Sequence, residues 1–170
     1  MTLIIRPAET PDDYRAFAGL CRDYIAWARQ RYATLPWLME EVFGHQSFED
    51  EQRELPLKYG PPKGKTLLAE LDGQVVAGGA WHRLEDGVCE LKRIFVSEAA
   101  RGHGLGRRLT EALMDDARAE GFTVARLDTG NLLHEAISLY HALGFIDRSP
   151  YLDYPERFLP HLTFMERPLI

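Results

Sequence analysis

The sequence predicts an α/β (α+β) fold in which a mixed, mostly antiparallel central sheet carries helices on both faces. Two hairpin turns, Asp72-Gly73 and Glu85-Asp86-Gly87, separate three consecutive apolar runs, as expected of antiparallel strands. Residues 91–127 then follow the pattern strand, glycine-rich loop, helix and strand. This pattern is typical of a right-handed βαβ crossover, which adds one parallel pair to the sheet.

The composition is that of one globular domain spanning residues 1–170, with 45% hydrophobic and 27% charged residues. A net charge of −6 argues against nucleic acid or an anionic membrane as the main partner. No run approaches the roughly 18 apolar residues of a membrane span, and the apolar start is too short for a signal peptide, so we expect a cytoplasmic location. The two cysteines, Cys21 and Cys89, lie in apolar patterns. They indicate a reduced compartment, although a single bridge stays open.

The first quarter of the chain predicts a short strand at residues 3–6 and a long helix. Thr10 followed by Pro11 supplies an N-cap and a proline at the first helical position. Apolar side chains then recur every three or four residues, which predicts one buried helix face. Trp27 and Tyr32 lie off this face and need another role.

The rest of the chain divides at clear turn signals. An acid-rich, partly helical segment begins at Pro36 and ends at the turn formed by residues 59–62. The helix after the glycine-rich loop is expected to end at Gly121, and a later helix at Gly144. The remaining elements are strands at 66–71, 74–83, 88–96 and 124–127, a helix at 133–143, a strand beginning at 145–146, a loop at 151–160 and a last strand at 162–165.

The most informative motif is the loop Arg101-Gly102-His103-Gly104-Leu105-Gly106-Arg107, between a strand and a helix. Its alternate glycines leave backbone N–H groups bare at the start of the helix, and the arginines add positive charge, which suits a pyrophosphate. The dinucleotide-binding fingerprint needs a glycine at position 107, and a Walker A loop needs Gly-Lys-Ser/Thr, so both are excluded. We expect His103 to face solvent.

Three blocks of sequence, residues 90–96, 101–109 and 136–145, resemble in order the core of the GCN5-related N-acetyltransferases, the GNAT family. The resemblance implies the GNAT acyl-CoA acyltransferase fold and direct transfer of an acetyl group from acetyl-CoA, as co-substrate, to an amine, without a metal. Many relatives carry an asparagine at the position of Leu133; the nearest candidate here is Asn131, which contacts the cofactor or only caps the helix or closes the turn after Gly130. The residues implied to bind the cofactor are Ile94, Phe95 and Val96 through their backbone, the loop residues Arg101, Gly102, His103, Gly104, Leu105, Gly106 and Arg107, and Asn131.

Tyr140 matches the tyrosine with which the family protonates the departing thiolate of CoA. A phenol with a pKa near ~10 is neutral at pH 7 and is able to donate to a thiolate whose pKa is near ~8.5. The alternative is that Tyr140 only packs on the buried face of its helix.

The amine needs a base, because an alkylammonium with a pKa near ~10.4 is mostly charged at pH 7. By resemblance Glu90 is the first candidate, acting directly or through a water. It is equally compatible with a pair to Lys92 across a solvated face. His82 and His134 are weaker candidates.

The expected function is an acetyl-CoA-dependent N-acetyltransferase acting on a primary amine of a small molecule or peptide. The alternative is a non-catalytic acyl-CoA-binding sensor or regulatory module with the same fold, which would not need Tyr140. The identity of the acceptor, the acyl chain length and a homodimer stay open. Aromatic residues in the variable regions either enclose a cationic acceptor or fill the core; they are Trp27, Tyr32, Trp37, Phe43, Trp81 and those of residues 151–158.

Overall fold

The computed structural model describes residues 1–44 and 48–170, and its elements follow the predicted order. Among these residues no helix is long and apolar enough to cross a membrane. The strands are β1 (Leu3–Pro7), β2 (Gly64–Leu71), β3 (Gln74–Glu85), β4 (Val88–Val96), β5 (Val124–Gly130), β6 (Ile146–Arg148) and β7 (Leu162–Pro168). The helices are α1 (Pro11–Arg31), α2 (Pro36–Phe43), α3 (Phe48–Tyr59), α4 (Leu105–Ala119) and α5 (His134–Ala142), with 3₁₀ turns at Glu98–Ala100 and Glu156–His161.

The strands form one sheet in the order β1-β2-β3-β4-β5-β7-β6. Each neighbouring pair is antiparallel except β4 and β5, which are parallel and joined through α4. The mixed, mostly antiparallel sheet and its single crossover are therefore confirmed.

Helices cover both faces of this sheet, as the sequence predicts. On one face, Leu109 and Leu113 of α4 are fully buried in a core shared with Leu91. On the other face, Phe17 of α1 is fully buried in a second core with Leu68. Burial of a large apolar side chain contributes about 1.5–3 kcal/mol, so each face holds its helices by packing.

The cysteines lie in different cores, Cys21 with α1 and Cys89 with α4, and both are free thiols. The sheet separates them, so the single bridge that the sequence left open does not form. Burial raises the pKa of the Cys89 thiol to about 12, which leaves it unreactive as a thiolate near neutral pH.

Helix α1 begins as predicted, and its other end contacts the connection between β5 and α5. The Thr10 hydroxyl accepts a hydrogen bond from the backbone N–H of Asp13, whose side chain accepts from the backbone of Thr10 in return. Beyond the other end of α1, the Tyr32 hydroxyl accepts a hydrogen bond from the backbone N–H of Leu132 at 3.1 Å. Arg31 donates to the carbonyl of Leu132 at 2.9 Å. The helix therefore spans from β1 to the connection between β5 and α5.

The acid-rich segment forms two helices, α2 and α3, where the sequence predicted partial helix. Residues 45–47 between them lie outside the described part of the chain. Pro36 begins α2, and α3 ends at Tyr59 as predicted. These helices lie on the α1 side of the sheet, where they bound a cavity.

Candidate active site

The central parallel pair separates halfway along its length. Strands β4 and β5 are paired only from Val88 to Glu90 on one side and from Val124 to Arg126 on the other. Beyond that point β4 stays paired with β3, and β5 with β7. The facing edges of β4 and β5 therefore have backbone groups without a sheet partner, and a cavity of about 580 Å³ lies in the gap.

A bulge in β4, beside this gap, changes which face of the sheet the following side chains occupy. Lys92 pairs with Ala80 and Phe95 with Gly78, so two residues of β4 stand opposite one residue of β3. The first of the two, Arg93, has a left-handed φ of 59°. Because of the extra residue, Leu91 and Ile94 both pack on the α4 core.

The glycine-rich loop enters α4 in the conformation that its sequence predicts. Gly102 and Gly104 have φ values of 86° and 71°, and an added Cβ at either would meet nothing within 4 Å. Gly104 is the N-cap and supplies no side-chain cap, while Leu105 behind it is buried. The first-turn N–H groups and the positive end of the helix dipole are therefore free to meet an anion.

The structure divides the predicted cofactor residues between the cavity and the surface beside it. Arg101 lies with its guanidinium 5.0 Å from the Trp27 ring centroid and 5.5 Å from that of Phe95. Arg107 pairs with Glu111 on the surface. Ile94, Phe95, Val96, Arg101 and Gly106 line the cavity, whereas Gly102, His103, Gly104 and Arg107 are exposed.

The hydrogen bonds of the Asn131 side chain reach across to residues 160–163 and do not close the turn after Gly130 or cap α5. Its amide Nδ2 donates to the carbonyl of Pro160 at 2.7 Å, and its Oδ1 accepts from the Thr163 hydroxyl. Both ends of the side chain thus fix the end of β5 to the beginning of β7. Its contact with a cofactor stays a prediction.

Tyr140 reaches the cavity from α5. Its ring packs edge-on against Phe145, with centroids 5.8 Å apart, and the residue is buried and lines the cavity. Within residues 1–44 and 48–170 its hydroxyl has no hydrogen-bond partner. Burial raises the pKa of Tyr140 well above the ordinary tyrosine value, so the phenol is neutral and able to donate.

Glu90 lies behind the cavity wall and not on a solvated face. It is 2% exposed, its Oε1 lies 2.8 Å from His82 Nε2, and its Oε2 accepts from the Tyr151 hydroxyl at 2.6 Å. Burial raises the pKa of this carboxyl. The hydrogen bond to His82, the charge of Lys92 and the hydrogen bond from Tyr151 outweigh burial and leave the pKa below the ordinary glutamate value. Glu90 is therefore ionised and already engaged at both oxygens.

A cluster of Lys92, Asp128 and Tyr154 lies at the cavity surface, and the sequence did not single it out. Lys92 Nζ donates to Asp128 Oδ1 at 2.8 Å, and the Tyr154 hydroxyl donates to Oδ2 at 2.6 Å. Burial lowers the pKa of Lys92, but the charges of Asp128 and Glu90 more than offset this and raise it, so the amine is charged. The available signal was the polar alternation of Glu90 and Lys92 on a buried strand.

Comparison with known proteins decides the family. The family model for the acetyltransferase (GNAT) family matches residues 20–145. The chain belongs to the GNAT family. It is 43% identical over 110 residues to an IAA acetyltransferase of Azospirillum brasilense, covering 64% of this chain and 70% of the relative.

Solved structures share the whole fold. A Klebsiella pneumoniae protein assigned to the acyl-CoA N-acyltransferases superposes with a TM-score of 0.74 at 28% identity, over 99% of each chain. The PaiA N-acetyltransferase of Thermoplasma acidophilum, solved in complex with coenzyme A, superposes with a TM-score of 0.75 at 18% identity, again over 99% of each chain. The chain is therefore an acetyltransferase with the GNAT fold.

In this GNAT cavity the predicted aromatic residues have separate roles. Trp27, Tyr32 and Phe43 line it, as does Tyr154 from the predicted loop. Trp81 fills the core, which is the second of the two roles considered for these aromatic residues. Its ring packs on Phe122 and its Nε1 donates to Asp116 at 2.6 Å, all on the α4 face of the sheet.

Of the remaining predicted aromatic residues, Phe158 also lines the cavity, whereas Trp37 and Tyr151 are not among the lining residues in the described part of the chain. Trp37 is 36% exposed and packs on Phe158 and His161. Within residues 1–44 and 48–170, no group of three or more His, Cys, Asp or Glu side chains is arranged to hold a metal ion. The groups that line the cavity are tyrosine hydroxyls, carboxylates, the half-buried Lys92 with other lysine and arginine side chains, and backbone dipoles.

Proposed function

We propose that this GNAT protein is an acetyl-CoA-dependent N-acetyltransferase that transfers an acetyl group directly to a primary amine of a small molecule or peptide. The observation that carries the proposal is the separation of β4 from β5, which opens a cavity lined by both Gly106 of the glycine-rich loop and Tyr140. The names of the relatives support it, since one is an IAA acetyltransferase and another an N-acetyltransferase in complex with coenzyme A.

The residues present fit an acyl-CoA. The N-terminus of α4, with Gly102 and Gly104, would hold the pyrophosphate through backbone N–H groups, each such contact contributing up to ~1–2 kcal/mol. Gly106 lines the cavity, and an added Cβ there would make ordinary contacts with Leu139 Cδ2 at 3.5 Å and Val96 Cγ2 at 3.8 Å. The unpaired edge of β4 from Ile94 to Val96 would hydrogen-bond the pantetheine arm. Bound acetyl-CoA supplies the activated acetyl thioester.

Tyr140 would act as the acid. Its phenol is neutral, faces the cavity and is able to donate a hydrogen bond to the sulfur as the C–S bond breaks. Because burial raises the pKa of Tyr140, a free phenolate is costly, and its proton must be replaced as it leaves. A backbone N–H of the β4 edge would face the thioester oxygen, where negative charge develops.

Acetyl-CoA titration and thiol release test this proposal. We expect calorimetry to show binding of acetyl-CoA, and we expect free thiol to appear only when an amine is added. Binding without thiol release for any amine would point to the sensor function, and an absence of binding would refute the assignment of the cofactor site.

A further inference from the structure

Building on the proposed N-acetyltransferase activity, we propose that Asp128 holds the ammonium group of the acceptor and takes a proton from it. The same cavity assigns the acceptor to one chemical class, a compact primary amine that carries a single positive charge on an apolar or aromatic body. Asp128 thereby takes the role that the sequence argument gave to Glu90.

The geometry of Asp128 leaves it room to bind a cation. Its side chain is 8% exposed and lines the cavity, whereas Glu90 is not among the lining residues in the described part of the chain. Lys92 occupies one site on Oδ1 and Tyr154 one site on Oδ2. A carboxylate offers about four acceptor sites, so each oxygen of Asp128 keeps one for an incoming N–H.

Asp128 and Tyr140, the proposed acid, line the same cavity and interact electrostatically. The negative charge of Asp128 adds to burial in raising the pKa of both Tyr140 and Tyr24, and all three residues line the cavity. Asp128 comes from β5 and Tyr140 from α5, so a proton acceptor and a proton donor approach the cavity from different elements. This is the arrangement that acyl transfer to an amine requires.

The charges of the cavity select an acceptor with one positive charge. Asp128 is a nearly buried carboxylate that lines the cavity, where it can pair with one ammonium. Among the described residues, the cationic side chains that line the cavity outnumber the carboxylates, with Lys58, Lys92, Arg93 and Arg101 against Asp128 and Glu135. A polyamine or an aminoglycoside would bring further cationic groups against Lys58, Lys92 and Arg101, which all line the cavity.

The cavity wall is apolar where the body of the acceptor would lie. Leu38, Met39 and Phe43 of α2 line it, and so does Phe158, which belongs to the same cluster as Leu38 and Met39. Trp27 already has the guanidinium groups of Arg31 and Arg101 within 4.9 and 5.0 Å of its ring centroid. The aromatic rings therefore surround the apolar body, and the carboxylate binds the charge.

The proton balance closes with these residues. Asp128 takes one proton from the ammonium and releases it to solvent after turnover. The nitrogen lone pair then forms the C–N bond as the C–S bond breaks, and the electron pair of that bond stays on sulfur. The second proton leaves the nitrogen as the amide forms, and it replaces the proton that Tyr140 gives to sulfur.

The test compares three variants of the full chain with 2-phenylethylamine as the acceptor. Asp128→Asn removes the charge. Glu90→Gln tests the rival base. Asp116→Asn is the matched control, because Asp116 also accepts from a lysine at 2.8 Å and from an aromatic side chain, Trp81, at 2.6 Å, but on the opposite face of the sheet.

We expect Asp128→Asn to lower kcat/KM for the amine by about 100-fold or more. The dissociation constant for acetyl-CoA should stay unchanged, and Asp116→Asn should keep kcat/KM. The pH profile should also change. The parent enzyme binds the ammonium, so kcat/KM should be flat from pH 6 to 9, whereas Asp128→Asn can use only the free amine and should gain about tenfold per pH unit.

Two results would overturn the assignment of Asp128. The first is an unchanged pH profile in Asp128→Asn, and the second is a pH slope that appears in Glu90→Gln instead. Turnover of spermidine or kanamycin faster than that of 2-phenylethylamine would refute the acceptor class. These results differ from failure of the proposed function itself, in which the parent protein would not bind acetyl-CoA or would release no thiol with any amine.

Discussion

Tyr140 is the single residue whose chemistry is most directly testable. Replacing Tyr140 with Phe removes the hydroxyl but keeps the ring that packs against Phe145. We expect kcat to fall by about 100-fold, because the thiolate loses its proton donor, while the dissociation constant for acetyl-CoA stays nearly unchanged. Steady-state thiol release and calorimetry measure the two quantities.

A tyrosine elsewhere in the core supplies the control for that experiment. Tyr14 is buried on the α1 side, where its hydroxyl donates to the carbonyl of Tyr59 at 3.4 Å. Tyr14→Phe should therefore keep kcat. Equal rates for Tyr140→Phe and the parent enzyme would remove Tyr140 as the acid.

The sequence singles out Tyr140 and the glycine-rich loop as candidate site residues but not Asp128, for a physical reason. Tyr140 and Gly104 lie in local patterns of glycine and apolar residues that a reader of the sequence can recognise. Asp128 becomes a candidate only through its hydrogen bond with Lys92. The two residues are distant in the chain and come close because β4 and β5 are neighbours in the sheet. The exact register and the point of separation of two strands have no local signal.

At the scale of an element, substitutions at the beginning of α4 distinguish an effect on helix stability from an effect on anion binding. Gly104 has a left-handed φ of 71° and is the N-cap. Aspartate is a favoured N-cap residue and tolerates this conformation better than alanine, so Gly104→Asp should leave the helix intact. The added charge would nevertheless repel a pyrophosphate, and we expect acetyl-CoA binding to be lost.

Gly104→Ala is the comparison variant, since it adds backbone strain of about 1–2 kcal/mol without charge. Calorimetry should show that this variant still binds acetyl-CoA, more weakly than the parent. Undiminished affinity in Gly104→Asp would mean that the pyrophosphate binds elsewhere.

The contact between the end of α1 and the end of β5 makes a prediction about stability. An added Cβ at Gly130 would lie 2.0 Å from the Tyr32 hydroxyl, which is buried and held by the N–H of Leu132. Gly130→Ala should therefore destabilise the protein by about 1–3 kcal/mol, as overpacking does. Thermal unfolding should show a lower Tm.

Gly19, within α1, is a position where an added methyl group should stabilise the protein. An added Cβ there would meet nothing within 4 Å, and the helical backbone suits alanine. Gly19→Ala should raise stability by about 0.5–1 kcal/mol. If Gly130→Ala also raised the Tm, the packing of Tyr32 on β5 would be wrong.

Element boundaries were predictable where a glycine lies at the end of a helix. The helix predicted between the glycine-rich loop and Gly121 coincides with α4, because the left-handed Gly104 and Gly121 stand at its two ends. In the acid-rich segment, no glycine could be assigned to a helix end from the sequence alone. The division of this segment into α2 and α3 was therefore not predicted. Loop 151–160 looked irregular in the sequence, yet it supplies Tyr151 and Tyr154 to the two buried carboxylates.

At the scale of the whole molecule, ionised carboxylates in partly buried pairs make folding dependent on pH. The hydrogen bond from Arg6 is the largest cause that lowers the pKa of Asp13, and the one from Arg126 has this role for Glu166. A carboxyl whose pKa is lower in the folded state stabilises the fold above its unfolded pKa, near ~4, and loses that contribution as the pH falls further. The free energy of unfolding should therefore be steady from pH 7 to 5 and fall below about pH 4.

Asp13→Asn isolates one contribution to this acid sensitivity. The Asp13 side chain is 11% exposed and also closes the capping box of α1, so its ionisation contributes about 2 kcal/mol at pH 7. Urea unfolding of both proteins at pH 7, 5, 4 and 3 measures the effect. We expect the variant to be less stable at pH 7 and the gap to narrow at pH 3, because the Asp13 carboxyl of the unfolded parent protein then gains a proton while that of the folded protein stays ionised. A gap that stays constant down to pH 3 would show that the cost of the substitution is steric and that the Arg6 pair does not lower the pKa of Asp13.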